Sequence, residues 1–329
     1  VNAIQTQPYG ITIGDSSGVG PEILLKAWAA GEIGFPAIAY GDMAALEFYN
    51  EALGYGVKLR AIASPTEYRK GTELNVLDHA MLSRADIAPG QLSGKSGAAA
   101  RAYVVSATKA ALAGDIAAMV TLPMNKEATQ LTDPVFCGHT ELIAQVCGVE
   151  DVTIMLASDQ LIVTHVSTHM SLQNAIHAAK KERICTILEM TWNAVRRLIP
   201  NARIAVAGLN PHAGENGLFG NEEIDEIIPA IKWAQQQGMA IEGPFPPDTL
   251  FFMAVRKKRF DAVVCMYHDQ GHIPLKLLDF EAGVNVALGL PIIRTSVDHG
   301  TAFDIAGTGV ASTVSLVRAL EFAVKLRAL

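Results

Sequence analysis

The sequence has little that would suit it to nucleic acid, to a membrane or to an oxidising compartment. Lys and Arg number 26 against 33 Asp and Glu, a formal charge of −7, and the basic residues are scattered rather than clustered. A polyanion is therefore excluded as the main partner, and any anion must be met by a local site. The four cysteines, Cys137, Cys147, Cys185 and Cys265, form no C-x-x-C pair and are too few to staple 329 residues, which indicates a reducing compartment. No apolar run approaches the length of a membrane span, and the opening Val1-Asn-Ala-Ile-Gln-Thr-Gln lacks the basic and apolar regions of a signal peptide. The expectation is a cytoplasmic protein with neither nucleic acid nor membrane as partner.

Aromatics are also scarce, at 6%, whereas half of the residues are hydrophobic. The interior is thus built mainly from Ala, Val, Ile and Leu, the usual material of parallel sheets covered by helices. Short apolar runs, each followed by a turn and a stretch of helical periodicity, read as βαβ units. The strand candidates are Gly10–Gly14, Pro36–Tyr40, Ala117–Thr121, Leu161–Val166, Arg203–Ala207, Asp261–Met266 and Val284–Leu288. The helix candidates are Ala98–Ala113, Ser171–Arg197 in whole or part, Ile224–Gln237 and Ser312–Leu329. No repeat or Pro/Gly-rich linker marks a boundary, which suits two α/β domains that the chain crosses between more than once.

Gly14-Asp-Ser-Ser-Gly-Val-Gly-Pro-Glu joins a strand to a helix whose Pro21 suits a first-turn position. It lacks the third glycine of G-x-G-x-x-G, so it reads as a tight turn rather than a dinucleotide fingerprint. Three histidines carry more. His169, His212 and His268 each sit just beyond a separate strand candidate in polar or glycine-rich sequence. Loops at the carboxyl ends of parallel strands line one crevice, and three imidazoles with an open position make a catalytic divalent-metal site. Any one of them alone is more often a hydrogen-bonded loop histidine than a ligand, and no short ligand spacing such as H-E-x-x-H links them. His165, inside its strand, is expected to pack or point away, and His272 is a rival ligand to His268.

Arg294, read as following a strand, can grip a phosphate or carboxylate, and the glycine-rich stretch His299–Gly309 can bring backbone N–H groups to an anion. Gly138-His-Thr-Glu-Leu reads as a turn into a helix, with Thr140 a potential cap. Thr121-Leu-Pro-Met-Asn-Lys closes a strand and offers Asn125 and Lys126.

Taken together, Gly138-His-Thr-Glu, Gly208-Leu-Asn-Pro-His-Ala-Gly-Glu, Pro247-Asp-Thr-Leu-Phe, Tyr267-His-Asp-Gln-Gly and Arg294-Thr-Ser-Val-Asp-His-Gly-Thr-Ala resemble the PdxA family. These are the 4-hydroxythreonine-4-phosphate dehydrogenases of pyridoxal phosphate synthesis and relatives acting on other four-carbon acids. The resemblance runs nearly the whole chain. It implies two α/β/α domains flanking a cleft, as in isocitrate and isopropylmalate dehydrogenases, with residues 1–122 plus 284–329 on the cofactor side and 123–283 forming the metal and dimer side.

It further implies NAD(P)-dependent oxidation, with decarboxylation, of a small phosphorylated hydroxy acid at one divalent ion (Zn, Mg, Mn or Co) per site. His169, His212 and His268 match the metal ligands, shared between the subunits of a homodimer. His139, Thr140, Lys276, Asn285 and Arg294 match the substrate contacts, and Gly300, Asp304 and Gly307 fall in the cofactor loop. Asp248 and Lys276 are the candidates for general base. Two departures, Ser16-Ser17 where the family usually has Pro-Ala and a short segment between Lys126 and Gly138, together with the stretch His165–Leu172, look more like dehydrogenases of 4-phospho-D-threonate or 4-phospho-D-erythronate. Rival classes are a phosphate acyltransferase, whose architecture is related, and a non-catalytic sugar-acid-binding protein.

Overall fold

A computed structural model describes residues 7–279 and 283–327, and their contacts divide them into two compact units. One is built from residues 7–150 and 290–327, the other from residues 151–279 and 283–289. Strands and helices are numbered along the chain.

The first unit holds β1 (Tyr9–Thr12), β2 (Ala37–Gly41), β3 (Leu59–Ile62), β4 (Leu74–Asp78), β5 (Met119–Thr121) and β12 (Arg294–Val297). They lie in the order β3-β4-β2-β1-β5-β12, and every pairing among them is parallel. Its helices are α1 (Gly20–Ala29), α2 (Met43–Leu53), α3 (Gly94–Ala113), α4 (Lys126–Gln130), α5 (His139–Cys147) and α11 (Val314–Arg327). Side chains alternate across a strand, so β12 shows which helix covers which face. Thr295 Oγ1 donates to the carbonyl of Ala319 on α11. Arg294 and Ser296 take the opposite face, as does Met119, whose sulfur meets Thr108 of α3. The sheet is therefore sandwiched, with Ile11, Ile13, Ile23, Leu24, Ile38 and Leu46 fully buried in it.

The second unit has the strand order β11-β6-β7-β10-β8-β9. Its elements are β6 (Thr153–Ala157), β7 (Ile162–His165), α6 (Leu172–Ala178), α7 (Lys181–Leu198), β8 (Ile204–Ala207), α8 (Ile228–Gln236), β9 (Ile241–Phe245), α9 (Pro247–Val255), β10 (Ala262–Cys265), α10 (His268–Leu278) and β11 (Val284–Leu288). β7, β10, β8 and β9 are parallel, whereas β6 is antiparallel to both of its neighbours. Thr164 bonds Thr191 of α7 on one face. Val163, Ala205, Val263 and Cys265 pack with Leu250 and Ala254 of α9 and Leu275 of α10 on the other. No described helix is long and apolar enough to cross a membrane.

Several expectations shift. The break expected after residue 122 falls after residue 150, because α4 and α5 pack on α3. Residues 284–288 belong to the second unit because β11 pairs with β6. The expected helix Ser171–Arg197 is two helices, parted where Glu226 takes both the Lys180 ammonium and the Lys181 N–H. Arg294 begins a strand rather than following one, and Thr140 lies inside α5, whose cap position is Gly138. The end of the expected Ser312–Leu329 helix, residues 328–329, lies outside the described residues.

Gly97 of α3 sets the seat of α4. A Cβ there would lie 2.4 Å from the Ala128 carbonyl carbon and 2.5 Å from Thr129 N, both backbone. Alanine improves helix propensity by about 1 kcal/mol, but overpacking against backbone costs about 1–3 kcal/mol. Gly97→Ala should therefore lower stability, read as an earlier urea midpoint.

Candidate active site

The first unit gathers its polar loops where β1 lies between β2 and β5, the point at which open parallel sheets bind ligands. The turn after β1 is locked to the loop after β5 by Asp15 N–H donating to Pro123 O, and to the loop after β12 by Val19 N–H donating to Thr301 O. Gly14, at φ 71, is required there, because a Cβ would sit 2.1 Å from Pro123 O. Asp15 is fully buried and accepts from Ser17 N–H and the Ser96 hydroxyl, yet burial still raises its carboxyl above the ordinary range. Ser16 and Ser17 are buried too, and Ser16 Oγ lies 2.6 Å from Ser96 Oγ. Ser16 thus joins the network around Asp15.

Arg294 is buried, with Nη2 donating to Thr121 Oγ1 at 2.7 Å and Nε without a partner among the described residues. Burial pulls its guanidinium down to about 10, still cationic at neutral pH. His139 opens α5. Its Nε2 is buried and unpartnered while the ring bonds the backbone of Leu122, so Nδ1–H is the donor and Nε2 a bare acceptor. Burial, then the nearby Arg294 charge, lowers its pKa to about 3. Arg294 thus offers a guanidinium N–H and His139 a neutral imidazole lone pair, groups that suit a hydroxylated or partly protonated anion. Thr140 follows on α5, and Asn125 is spent capping α4 through Ala128 N–H. Gly300 and Asp304 are exposed in the loop after β12. Gly307 donates its N–H to Glu22 at 2.7 Å, and Lys26 donates to the carbonyls of Gly309 and Ala311. Glu22 and Lys26 were not anticipated. Only their places on α1, Glu22 in its first turn and Lys26 in its last, with both bonded to that loop, distinguish them.

In the second unit His169, His268 and His212 stand beyond β7, β10 and β8, three neighbouring strands. His169 and His268 line one cleft of about 600 Å³ with Thr168, Ser171, Tyr267 and Asp269, their ring centroids 5.9 Å apart. Asp269 holds His268 Nδ1 at 2.7 Å, which leaves Nε2 as the atom able to ligate, the arrangement usual behind metal-binding imidazoles. His212 lies against Phe219 at 6.1 Å. Among the described residues no three His, Cys, Asp or Glu side chains are gathered to hold a metal, so the chain pairs two of the three expected ligands.

The loop bearing His212 is unusual. Residues His212, Ala213, Gly214, Glu215 and Asn216 all have φ between 44 and 78°, a left-handed turn that costs non-glycine residues about 1–2 kcal/mol each. Glu223 offsets it, accepting from Leu209 N–H, Asn210 N–H and Asn210 Nδ2. Gln270, also missed, is buried and spans two loops: its Oε1 accepts from Met266 N–H and its Nε2 donates to Gly208 O. Asp248 is exposed at the start of α9, Lys276 sits on α10, and Asn285 on β11 keeps a buried Oδ1 with no partner among the described residues.

Comparison with known proteins bears on this site. The profile of the Pyridoxal phosphate biosynthetic protein PdxA matches residues 35–323. D-threonate 4-phosphate dehydrogenase from Salmonella typhimurium is 43% identical, over 98% of this chain and 100% of its own. 4-Hydroxythreonine-4-phosphate dehydrogenase from Desulfosudis oleivorans is 45% identical, over 96% and 94%. A crystal structure of 4-hydroxythreonine-4-phosphate dehydrogenase from Klebsiella pneumoniae superposes with a TM-score of 0.89 at 41% identity, covering 98% of this chain and 100% of its own. A β-decarboxylating dehydrogenase from Thermococcus kodakarensis shares the fold at 11% identity (TM-score 0.53; 98% and 88% covered).

The buried imidazoles make a pH prediction. Burial also lowers His165 to about 3, so the unfolded chain takes up protons below 6.5 that the native His139 and His165 refuse until near 3. Stability is full above 6.5 and falls as pH drops below it, by up to about 1.4 kcal/mol per pH unit for each histidine. Urea midpoints from pH 7.5 to 5 should fall accordingly, and less steeply in His165→Leu. A flat wild-type midpoint across that range would contradict both burials.

Proposed function

The chain belongs to the PdxA family, and from that premise we propose that it is a cytoplasmic dehydrogenase that oxidises a small 4-phosphorylated four-carbon hydroxy acid. The observation that carries the reading is the buried Arg294, whose Nε has no partner among the described residues and whose charge acts on a neutral His139 that keeps a bare Nε2. An anion held there gains N–H donors from a weakly hydrated cation in a low-dielectric setting, and a hydroxyl or acidic O–H on the same group finds His139 Nε2 as its acceptor. Thr140, one residue on, adds a hydroxyl at the helix N-terminus.

His169, His212 and His268 would hold a divalent metal, and the loop pinned by Glu22 and Lys26 would hold NAD or NADP. Bound there, the two groups supply Lewis-acid polarisation of the oxidised C–O bond and a hydride acceptor. Oxidation at C3 of such an acid leaves a β-keto acid, the kind that sheds CO₂. Lys276 and Asn285 are proposed to orient the substrate, since Asn285 carries an unsatisfied acceptor, and Asp248 or Lys276 to remove the hydroxyl proton. A homodimer is part of the reading: one chain pairs His169 with His268 and leaves His212 apart, so a second copy would supply the missing ligand. The buried Ser16 and Ser17, in place of the family's Pro-Ala, favour the D-threonate or D-erythronate 4-phosphate branch.

The test is NADH formation by the purified chain with Mg²⁺, Mn²⁺, Co²⁺ or Zn²⁺, across 4-phosphorylated hydroxythreonine, D-threonate and D-erythronate and one unphosphorylated diol acid. Turnover should require the phosphate. His212→Ala should lose both bound metal and NAD reduction, and retention of both would refute the site. Arg294→Lys, which keeps the charge but loses the planar fork, should raise KM about 10- to 100-fold with a smaller change in kcat.

A further inference from the structure

A second pair of histidines stands behind the His169/His268 cleft, and nothing in the proposed chemistry uses it. His165 is fully buried on the β7 face that carries Val163, next to Cys265, where an apolar side chain would pack without desolvating any nitrogen. Its Nε2 lies 3.2 Å from His272 Nδ1, and its own Nδ1 faces Ile154 O at 3.5 Å. His272 Nδ1 also lies 3.0 Å from His268 O. The consistent arrangement has His165 donating from Nδ1 to the strand and accepting at Nε2 from His272, whose N–H is shared with the His268 carbonyl.

The His272 ring lies flat on that of His268, with centroids 3.6 Å apart and planes within 11°. The link is close-fitting. Gly271 sits between the two partners, and a Cβ there would meet His165 Nε2 at 2.5 Å and Cys265 Sγ at 2.9 Å, so α10 is seated directly on the buried imidazole. His268 is thus fixed twice, at Nδ1 by Asp269 and across its face by a ring that the strand beneath holds in place.

We propose that His165 and His272 are positioning residues, a buried two-histidine strut that holds the plane of the His268 imidazole and aims its Nε2 for ligation. This rests on the reading of His268 as a metal ligand. Outer partners of ligating histidines contribute by fixing ring orientation, and their loss typically weakens metal binding 10- to 100-fold. Because the strut reaches His268 in series, His165 through its hydrogen bond to His272 and His272 through its stacked ring, loss of either link weakens the same support, and losing both adds little to the worse single loss.

The experiment measures Co²⁺ affinity by chelator competition, and the visible absorption of bound Co²⁺, on the full chain and its His165→Leu, His272→Leu, double-leucine, His165→Gln and His268→Ala variants. Each leucine variant should bind Co²⁺ at least about tenfold more weakly with an altered spectrum. The double variant should be no weaker than the worse single, and His165→Gln, which keeps an acceptor in the Nε2 position, should recover most of the affinity. Wild-type affinity and spectrum in both leucine variants, with binding lost in His268→Ala, would overturn the strut and leave the metal reading intact. Wild-type binding in His268→Ala would overturn both. His272 is only partly buried on α10, so His272→Leu decides the matter if the buried variant does not fold.

Discussion

β10 runs between β7 and β8 in the same direction as both, and the second unit's chemistry depends on that placement. A parallel neighbour on each side forces three loops to leave the sheet at one edge, which is how His169, His212 and His268, dispersed over a hundred positions, come to occupy adjacent strand ends. Strand order alone would leave those loops loose. Gln270 removes the slack by bonding the Met266 N–H at the end of β10 and the Gly208 carbonyl at the end of β8. A buried amide that satisfies one donor and one acceptor on separate loops fixes their spacing, because moving either leaves a polar group unpaired in a dry setting.

The first unit solves the same problem with charge. Glu22 is buried on α1 and takes N–H groups from the loop that follows β12, while Lys26 one turn on takes that loop's carbonyls. Asp42, also buried, accepts from Met81 N–H and the Tyr103 hydroxyl. In each case a carboxylate out of water is stabilised by donors from a segment distant in sequence, so the helix framework dictates the loop. Asp15 sits in the turn after β1. Burial raises its carboxyl despite the Ser96 hydroxyl and the backbone donors of Ser17 and Asn125.

How much of this was legible follows from the range of the forces involved. Apolar runs and turns gave β1, β2, β5, β7, β8, β10 and β11 closely, since strands buried on both faces are written locally as short continuous apolar runs. β3 and β9 were missed because their burial is partial, and β4 because Asn75 breaks its apolar run, whereas β6, a fully buried Thr-Ile-Met-Leu-Ala run, was simply overlooked. The three site histidines were visible as strand-end residues, and the resemblance supplied their grouping. His165 was rightly expected to pack, but its bond to His272 joins positions 107 apart and leaves no local trace. The same holds for Glu22, Glu223 and Gln270, each an ordinary polar residue until the loop it holds is in place. The boundary after residue 122 failed for a like reason: the packing of α4 and α5 on α3 outweighs their nearness in sequence to the next strand.

The left-handed run at His212–Asn216 shows that the third histidine's position is built rather than incidental. Four non-glycine residues in that conformation would together cost several kcal/mol if unsupported, and an unconstrained loop would relax to right-handed geometry. It is held because Glu223 clamps Leu209 and Asn210 on the approach and because Gly208 leaves no room for the turn to shift, a Cβ there meeting Ala213 Cα at 2.9 Å. Strain of this kind collects where a side chain must be presented in one direction. His212 is therefore held beside Phe219, while His169 and His268 pair with each other.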